Sequence, residues 1–78
     1  MIKVGDLVCI TQFGAETMND FYDVAPMLFE QGQTGIVVKQ DWSKHDNNRP
    51  LVKVVFFHQP EYERLCYADT EVELVQGQ

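Results

Sequence analysis

Apolar residues alternate with polar ones in several short segments, and this alternation limits the chain to a fold built mainly of strands. The clearest segment is Leu-Val-Lys-Val-Val-Phe-Phe-His at residues 51–58. Successive side chains of a strand point to opposite faces, so Lys53 marks the solvent side and Val52, Val54 and Phe56 the buried side. The same periodicity predicts four further strands, at residues 4–11, 34–40, 64–67 and 72–75.

A chain of 78 residues supports one thin core, so we expect residues 1–78 to form a single domain. The predicted core consists of the inward-facing positions of the strands. These are Val4, Val8, Ile10, Val37, Val54, Phe56, Val72 and Leu74.

Two connections between the predicted strands are long. The first, residues 12–33, is rich in apolar side chains, and the spacing of Met18, Phe21 and Tyr22 favours one or two helical turns, with Pro26 suited to begin a second short turn. Its apolar side chains either cover an open end of the fold or form a binding surface, and the sequence leaves both interpretations open. The second connection, residues 41–50, is polar and turn-rich.

The residues that could carry chemistry do not form a recognisable catalytic or metal-binding motif. Cys9 and Cys66 are far apart in the chain, and His45 and His58 lack the spacing of paired zinc ligands. No glycine-rich phosphate loop connects a strand to a helix. We therefore expect no metal, no cofactor and no enzymatic activity, although a Cys66–His58 pair remains a minor catalytic alternative.

The charge of the chain argues against direct nucleic-acid binding. Six basic and twelve acidic residues give a net charge of −6, whereas nucleic-acid-binding domains are usually basic. Residues 39–53 hold four basic and two acidic side chains, a local balance of +2, and the rest of the chain has a balance of −8. No apolar run is long enough to span a membrane and the first residues do not form a signal peptide, so we expect a cytoplasmic protein without membrane contact.

The five predicted strands, with the longest connection between the first two, resemble an SH3-like small barrel. The resemblance implies a mainly β, five-stranded, partly open barrel whose long first loop carries one or two short helical turns. Two segments also resemble the halves of a KOW motif, although they are further apart than in that motif. They are Val4-Gly5-Asp6-Leu7-Val8-Cys9-Ile10 and Gly32-Gln33-Thr34-Gly35-Ile36-Val37.

The layout of the chain is more similar to the variable chain of ferredoxin–thioredoxin reductase, which is itself a small SH3-like barrel. The matching segments are Val4-Gly5-Asp6, Gln31-Gly32, Gly35-Ile36-Val37, Asp41-Trp42, Arg49-Pro50, residues 51–56 and residues 69–75. In that family the subunit is non-catalytic and packs on the catalytic chain, which carries the iron–sulfur cluster. The resemblance implies an accessory subunit with a protein partner.

These observations favour binding over catalysis, with a protein as the partner. Trp42, the only tryptophan, lies among polar residues in the same connection as Arg49, and tryptophan and arginine are enriched at binding hot spots. We predict a partner-binding patch of Tyr22, Trp42, Arg49 and Phe57. Three functions remain open: a protein-interaction barrel acting as adaptor or accessory subunit, a KOW-like nucleic-acid-associated protein, and a small acidic inhibitor or nucleic-acid mimic.

Overall fold

The computed structural model describes residues 2–22, 28–45 and 47–75. Five strands and one helix are found in these residues. They are β1 (Leu7–Ile10), α1 (Gln12–Tyr22), β2 (Thr34–Ser43), β3 (Arg49–Phe56), β4 (Arg64–Tyr67) and β5 (Val72–Leu74). The short turn predicted to begin at Pro26 has its first residues outside the described ranges.

All five strands belong to one antiparallel sheet with the order β4-β3-β2-β1-β5. The prediction of a mainly β, five-stranded fold with a helical element is therefore confirmed. The predicted barrel is not observed, because among the described strands β4 and β5 each pair with one neighbour and leave the sheet open. These edge strands have four and three residues and so extend only about 10–13 Å, which gives them little length for pairing with each other.

The core lies on the inner face of this sheet and under the helix. Six predicted core residues are buried: Val8, Ile10, Val37, Val54, Phe56 and Val72. Val52, Cys66, Met18 and Phe29 are buried with them. The prediction was wrong for Val4 and Leu74, which are both exposed: Val4 lies in a turn before β1, and Leu74 is the last residue of the short edge strand β5.

Strands β2 and β3 form a long hairpin that extends into the residues predicted to be a polar connection. Trp42 pairs with Pro50 and Ser43 with Arg49, so both ends of the segment 41–50 are in the sheet. Asn47 and Asn48 near the tip have left-handed φ angles of 56° and 59°, a backbone conformation that asparagine tolerates. The hairpin therefore holds Trp42 and Arg49 on ordered strands.

Helix α1 has eleven residues and is longer than the one or two turns predicted. Thr11 caps its first turn, since its hydroxyl oxygen accepts a hydrogen bond of 2.9 Å from the Gly14 amide. Near the other end, the Asn19 amide group donates to the Phe29 carbonyl at 2.9 Å and accepts from the Phe29 amide at 3.0 Å. These contacts attach the helix to the rest of the fold and explain why it continues beyond the predicted turns.

Candidate functional site

An open groove with a volume of about 460 Å³ lies between helix α1 and the strands β3 and β4. Aromatic and aliphatic side chains form most of its lining, and we call it the α1–β4 groove. Its principal apolar residues are Phe13, Phe21 and Tyr22 of α1, Leu51 of β3, and Leu65 and Tyr67 of β4.

The register of the β3–β4 pair places the strand residues of the groove on one face. Leu51 lies opposite Tyr67, and Leu65 lies opposite Lys53. Directly opposed residues of antiparallel strands share a face, so Leu51, Leu65 and Tyr67 project away from the face on which Val52 is buried. This hairpin thus has apolar side chains on both faces, one in the core and one in the groove.

The helical side of the groove is a stripe formed by Phe13, Thr17 and Phe21. These residues are four positions apart and therefore lie along one face of the helix, next to the face that buries Gly14 and Met18. Phe13 is 54% exposed and Phe21 is 79% exposed. Phe13 and Phe21 are thus exposed apolar side chains at the two ends of the stripe, while the Thr17 hydroxyl between them donates to Glu71.

Tyr22 is fixed in the groove by a hydrogen bond and a ring contact. Its hydroxyl oxygen accepts a hydrogen bond of 3.2 Å from the Leu65 amide, and the Arg64 guanidinium carbon lies 4.5 Å from the centre of its ring. Burial raises the pKa of Tyr22 above its ordinary value, which favours the neutral phenol. Tyr22 therefore joins the end of α1 to the edge strand β4.

Arg49 lines the groove and is held by several partners. Its Nε and Nη2 atoms donate to the two carboxylate oxygens of Asp69 at 3.2 and 2.9 Å, and Nη2 also donates to the Thr70 hydroxyl at 3.0 Å. Its guanidinium carbon lies 4.0 Å from the centre of the Tyr67 ring. The hydrogen bond from Arg49 lowers the pKa of Asp69, so the two side chains form a charge-compensated pair.

Glu71, in the connection between β4 and β5, is the carboxylate of the groove lining. It is only 8% exposed. Oε1 accepts a hydrogen bond of 2.7 Å from the Tyr67 amide, and Oε2 accepts one from the Thr17 hydroxyl. These two bonds connect α1 to the end of β4 through a single side chain.

The structure brings together two of the four predicted partner-binding residues. Tyr22 and Arg49 line the groove. Trp42 and Phe57 are each more than half exposed but are not part of the groove lining, although Trp42 precedes the lining residue Ser43. All four remain predicted binding residues, with Trp42 and Phe57 outside the groove.

Sequence reasoning missed the residues that form most of the groove. Phe13 and Phe21 lie in the connection whose apolar side chains are predicted either to cover the fold or to form a binding surface. Leu65 and Tyr67 lie in a predicted short strand, and Glu71 is predicted to be a solvated carboxylate at a strand edge. One signal was available, because Leu65 and Tyr67 are two positions apart and must share a face of a strand. Nothing in the sequence indicated that α1 would lie beside that face.

The other candidate chemical groups occupy structural positions. The Cys66 thiol is buried against the Met18 sulfur at 3.6 Å, and burial raises its pKa to about 12. His58 Nε2 lies 3.0 Å from the Leu28 carbonyl oxygen. Among the described residues no three His, Cys, Asp or Glu side chains are grouped to hold a metal ion, and no helix there has the length and apolar character to span a membrane.

Comparison with known proteins gives no relative from which a function could be transferred. The chain matches no protein-family model, and no curated protein or solved structure is significantly similar to it. A proposal for its function therefore depends on the geometry and charge of the α1–β4 groove.

Proposed function

We propose that the chain is a non-catalytic protein-interaction domain, acting as an adaptor or accessory subunit, that binds an apolar and basic segment of a partner protein in the α1–β4 groove. The observation that carries the proposal is the continuity of exposed apolar side chains across the groove. Phe13 and Phe21 belong to α1 and Leu65 to β4, and their exposed fractions are 54%, 79% and 44%. Single exposed apolar residues are common on protein surfaces, whereas a contiguous patch marks an interaction site.

The charges around the groove favour a basic partner. Helix α1 contains Glu16 and Asp20 and no basic residue. The connection after β4 adds Asp69 and Glu71. The basic residues beside the groove are Arg49, which pairs with Asp69, Lys53, which pairs with Glu63, and Arg64, which donates to Gln59. With a net charge of −6 on the whole chain, a partner carrying lysine or arginine beside its apolar residues is the complementary one.

The size of the groove suits a short amphipathic segment. A volume of about 460 Å³ lies within the range of clefts that hold a ligand of a few side chains. A helix presenting apolar residues at positions i, i+3, i+4 and i+7 is a common occupant of grooves with this character. The proposed partner segment therefore has three or four apolar side chains flanked by basic ones.

The SH3-like relationship and the resemblance to an accessory subunit are part of this proposal. They are supported by the five antiparallel strands and by the long connection between β1 and β2. The proposed setting is the cytoplasm, with a protein partner and no direct contact with nucleic acid. The exposed residues Trp42 and Phe57 would then extend the contact beyond the groove.

The proposal is tested by selecting a phage-displayed library of random peptides against the protein and synthesising the consensus peptide. We expect a consensus of apolar and basic residues. Leu65→Glu should weaken its binding by about tenfold or more, because the substitution removes a leucine from the apolar contact and an ionised carboxylate at that position must be desolvated. The matched control is Leu74→Glu, since Leu74 is also an edge-strand leucine, with 42% exposure against 44% for Leu65, but is outside the groove lining.

Equal loss of peptide binding in both variants, or no loss in Leu65→Glu, would show that the groove is not the binding site. A selection that yields no binding peptide would also contradict the proposal. Binding of a single-stranded oligonucleotide that weakens steeply as salt is added would instead support the KOW-like alternative.

A further inference from the structure

The carboxylate of Glu71 has acceptor capacity left within the groove. It is 8% exposed and lines the α1–β4 groove at the point where α1 approaches the connection after β4. The Tyr67 amide and the Thr17 hydroxyl each donate one hydrogen bond to it, one to each oxygen. A carboxylate oxygen accepts two hydrogen bonds, so each oxygen can take a further donor.

Glu71 also lacks a counter-charge among the described residues. No basic nitrogen there lies within 4.0 Å of its carboxylate, while the ion pairs in that part of the chain include Arg49 with Asp69 and Lys53 with Glu63. Burying a charge is costly unless it is paired, and native proteins normally provide a partner.

We infer that Glu71 binds a cationic side chain of the partner segment, a lysine or an arginine, inserted into the α1–β4 groove. This inference rests on the proposed function and adds that Glu71 is the residue that selects a basic side chain of the partner. The alkyl part of such a side chain would pack on the apolar lining, including Phe13 and Phe21, while its charged end takes the free acceptor positions of Glu71.

The groove already shows this chemistry within the protein itself. The guanidinium groups of Arg49 and Arg64 lie against the rings of Tyr67 and Tyr22 at 4.0 and 4.5 Å. Aromatic faces attract cations electrostatically, and Phe13 and Phe21 contribute two more rings to the lining. The positive charge of Arg49 does not oppose a cationic ligand strongly, because Asp69 binds it at 2.9 Å.

Two small probes that share an alkyl chain and differ in charge test the inference: n-hexylammonium and n-hexanol. Binding of each is followed at low ionic strength through the amide NMR resonances of Phe21 and Leu65. We expect both probes to shift these resonances, and the ammonium compound to bind about fivefold or more tightly than the alcohol. In Glu71→Gln most of this preference should be lost.

The matched control is Glu73→Gln, which removes the same charge from an exposed residue two positions away. Glu71→Gln and Glu73→Gln each remove one negative charge, so the general attraction of the chain for cations falls equally in both variants. Glu73→Gln should nevertheless keep the preference for the ammonium compound, because Glu71 is still present. Equal affinities in the wild-type protein, or loss of the preference in Glu73→Gln, would overturn the role of Glu71 and leave the apolar groove intact. If neither probe shifts the groove resonances, the proposed function itself fails.

A second measurement does not depend on the folding of Glu71→Gln. In the wild-type protein the side-chain carboxyl carbon resonance of Glu71 should shift with n-hexylammonium and remain unchanged with n-hexanol. No shift at saturating n-hexylammonium would overturn the inference.

Discussion

Replacing Gly14 with alanine tests how closely α1 approaches the connection between β4 and β5. In an unconstrained helix interior the change would stabilise the fold by about 1 kcal/mol, since alanine has the higher helix propensity. In this protein the added Cβ would lie 2.0 Å from the Glu71 carbonyl oxygen and 2.7 and 2.8 Å from its backbone carbons. Cβ atoms in real proteins essentially never lie closer than 3.0 Å to such atoms, and all three distances are shorter than this. The backbone of α1 or of Glu71 must therefore move.

The expected cost follows from what that movement breaks. Overpacking a rigid contact costs about 1–3 kcal/mol. The Glu71 carbonyl accepts a hydrogen bond of 3.1 Å from the Thr11 amide, and the Glu71 side chain accepts one from Thr17. Weakening these bonds adds about 1 kcal/mol each. After subtracting the gain in helix propensity, we expect Gly14→Ala to lower the free energy of unfolding by about 2–4 kcal/mol.

Urea denaturation followed by far-ultraviolet circular dichroism measures this change. The control is Glu16→Ala, an exposed site on the same helix, where the free energy of unfolding should change by less than about 0.5 kcal/mol. A Gly14→Ala protein as stable as the wild type would mean that α1 does not contact the connection as the structure shows. The Glu71 site would then lose its structural basis.

Two further predictions concern the core. Val54→Ala removes two methyl groups from a fully buried site and should lower the free energy of unfolding, measured with urea, by about 1–3 kcal/mol. The control Val38→Ala, at an exposed site, should lower it by less than about 0.5 kcal/mol. Equal effects of the two substitutions would refute the inward register of β3. The Cys66 thiol, with a pKa of about 12, is ionised at pH 8 in only about one molecule in ten thousand. In a Cys9→Ser protein Ellman's reagent should therefore label Cys66 slowly in native buffer and rapidly in urea, and fast native labelling would contradict its burial.

Alternation in the sequence predicts strand faces well where one face is buried. Val52, Val54 and Phe56 are in the core as expected, because a one-residue change of register would expose them all. The pattern does not determine whether a sheet closes, since closure depends on the length of edge strands such as Arg64–Tyr67. The length of α1 was underestimated because its stability comes from tertiary contacts, although Thr11 could have been recognised as a cap.

The groove was harder to predict than the sheet, because it joins residues that are distant in the sequence. Tyr22 and Arg49 were identified from residue type alone. Leu65 and Glu71 become site residues only when α1 docks, through the Tyr22 hydroxyl and the Thr17 hydroxyl respectively. A single sequence reports periodicity within an element but not which elements will be neighbours.

The pairing of β1 with β5 has a consequence for the order in which the protein folds and opens. Cys9 pairs with Glu73 at a separation of 64 positions, whereas the β2–β3 hairpin closes through a short turn. Contacts between distant positions carry a larger loop-closure cost, so we expect the hairpin to form first and β5 to join last. The reverse event, local release of β5 and the connection before it, removes the contacts between α1 and Glu71, while β2, β3 and β4 stay paired and Tyr22 still joins α1 to β4. We therefore expect a ligand that binds in the groove to slow amide hydrogen exchange most in β5 and in the part of α1 that contacts Glu71.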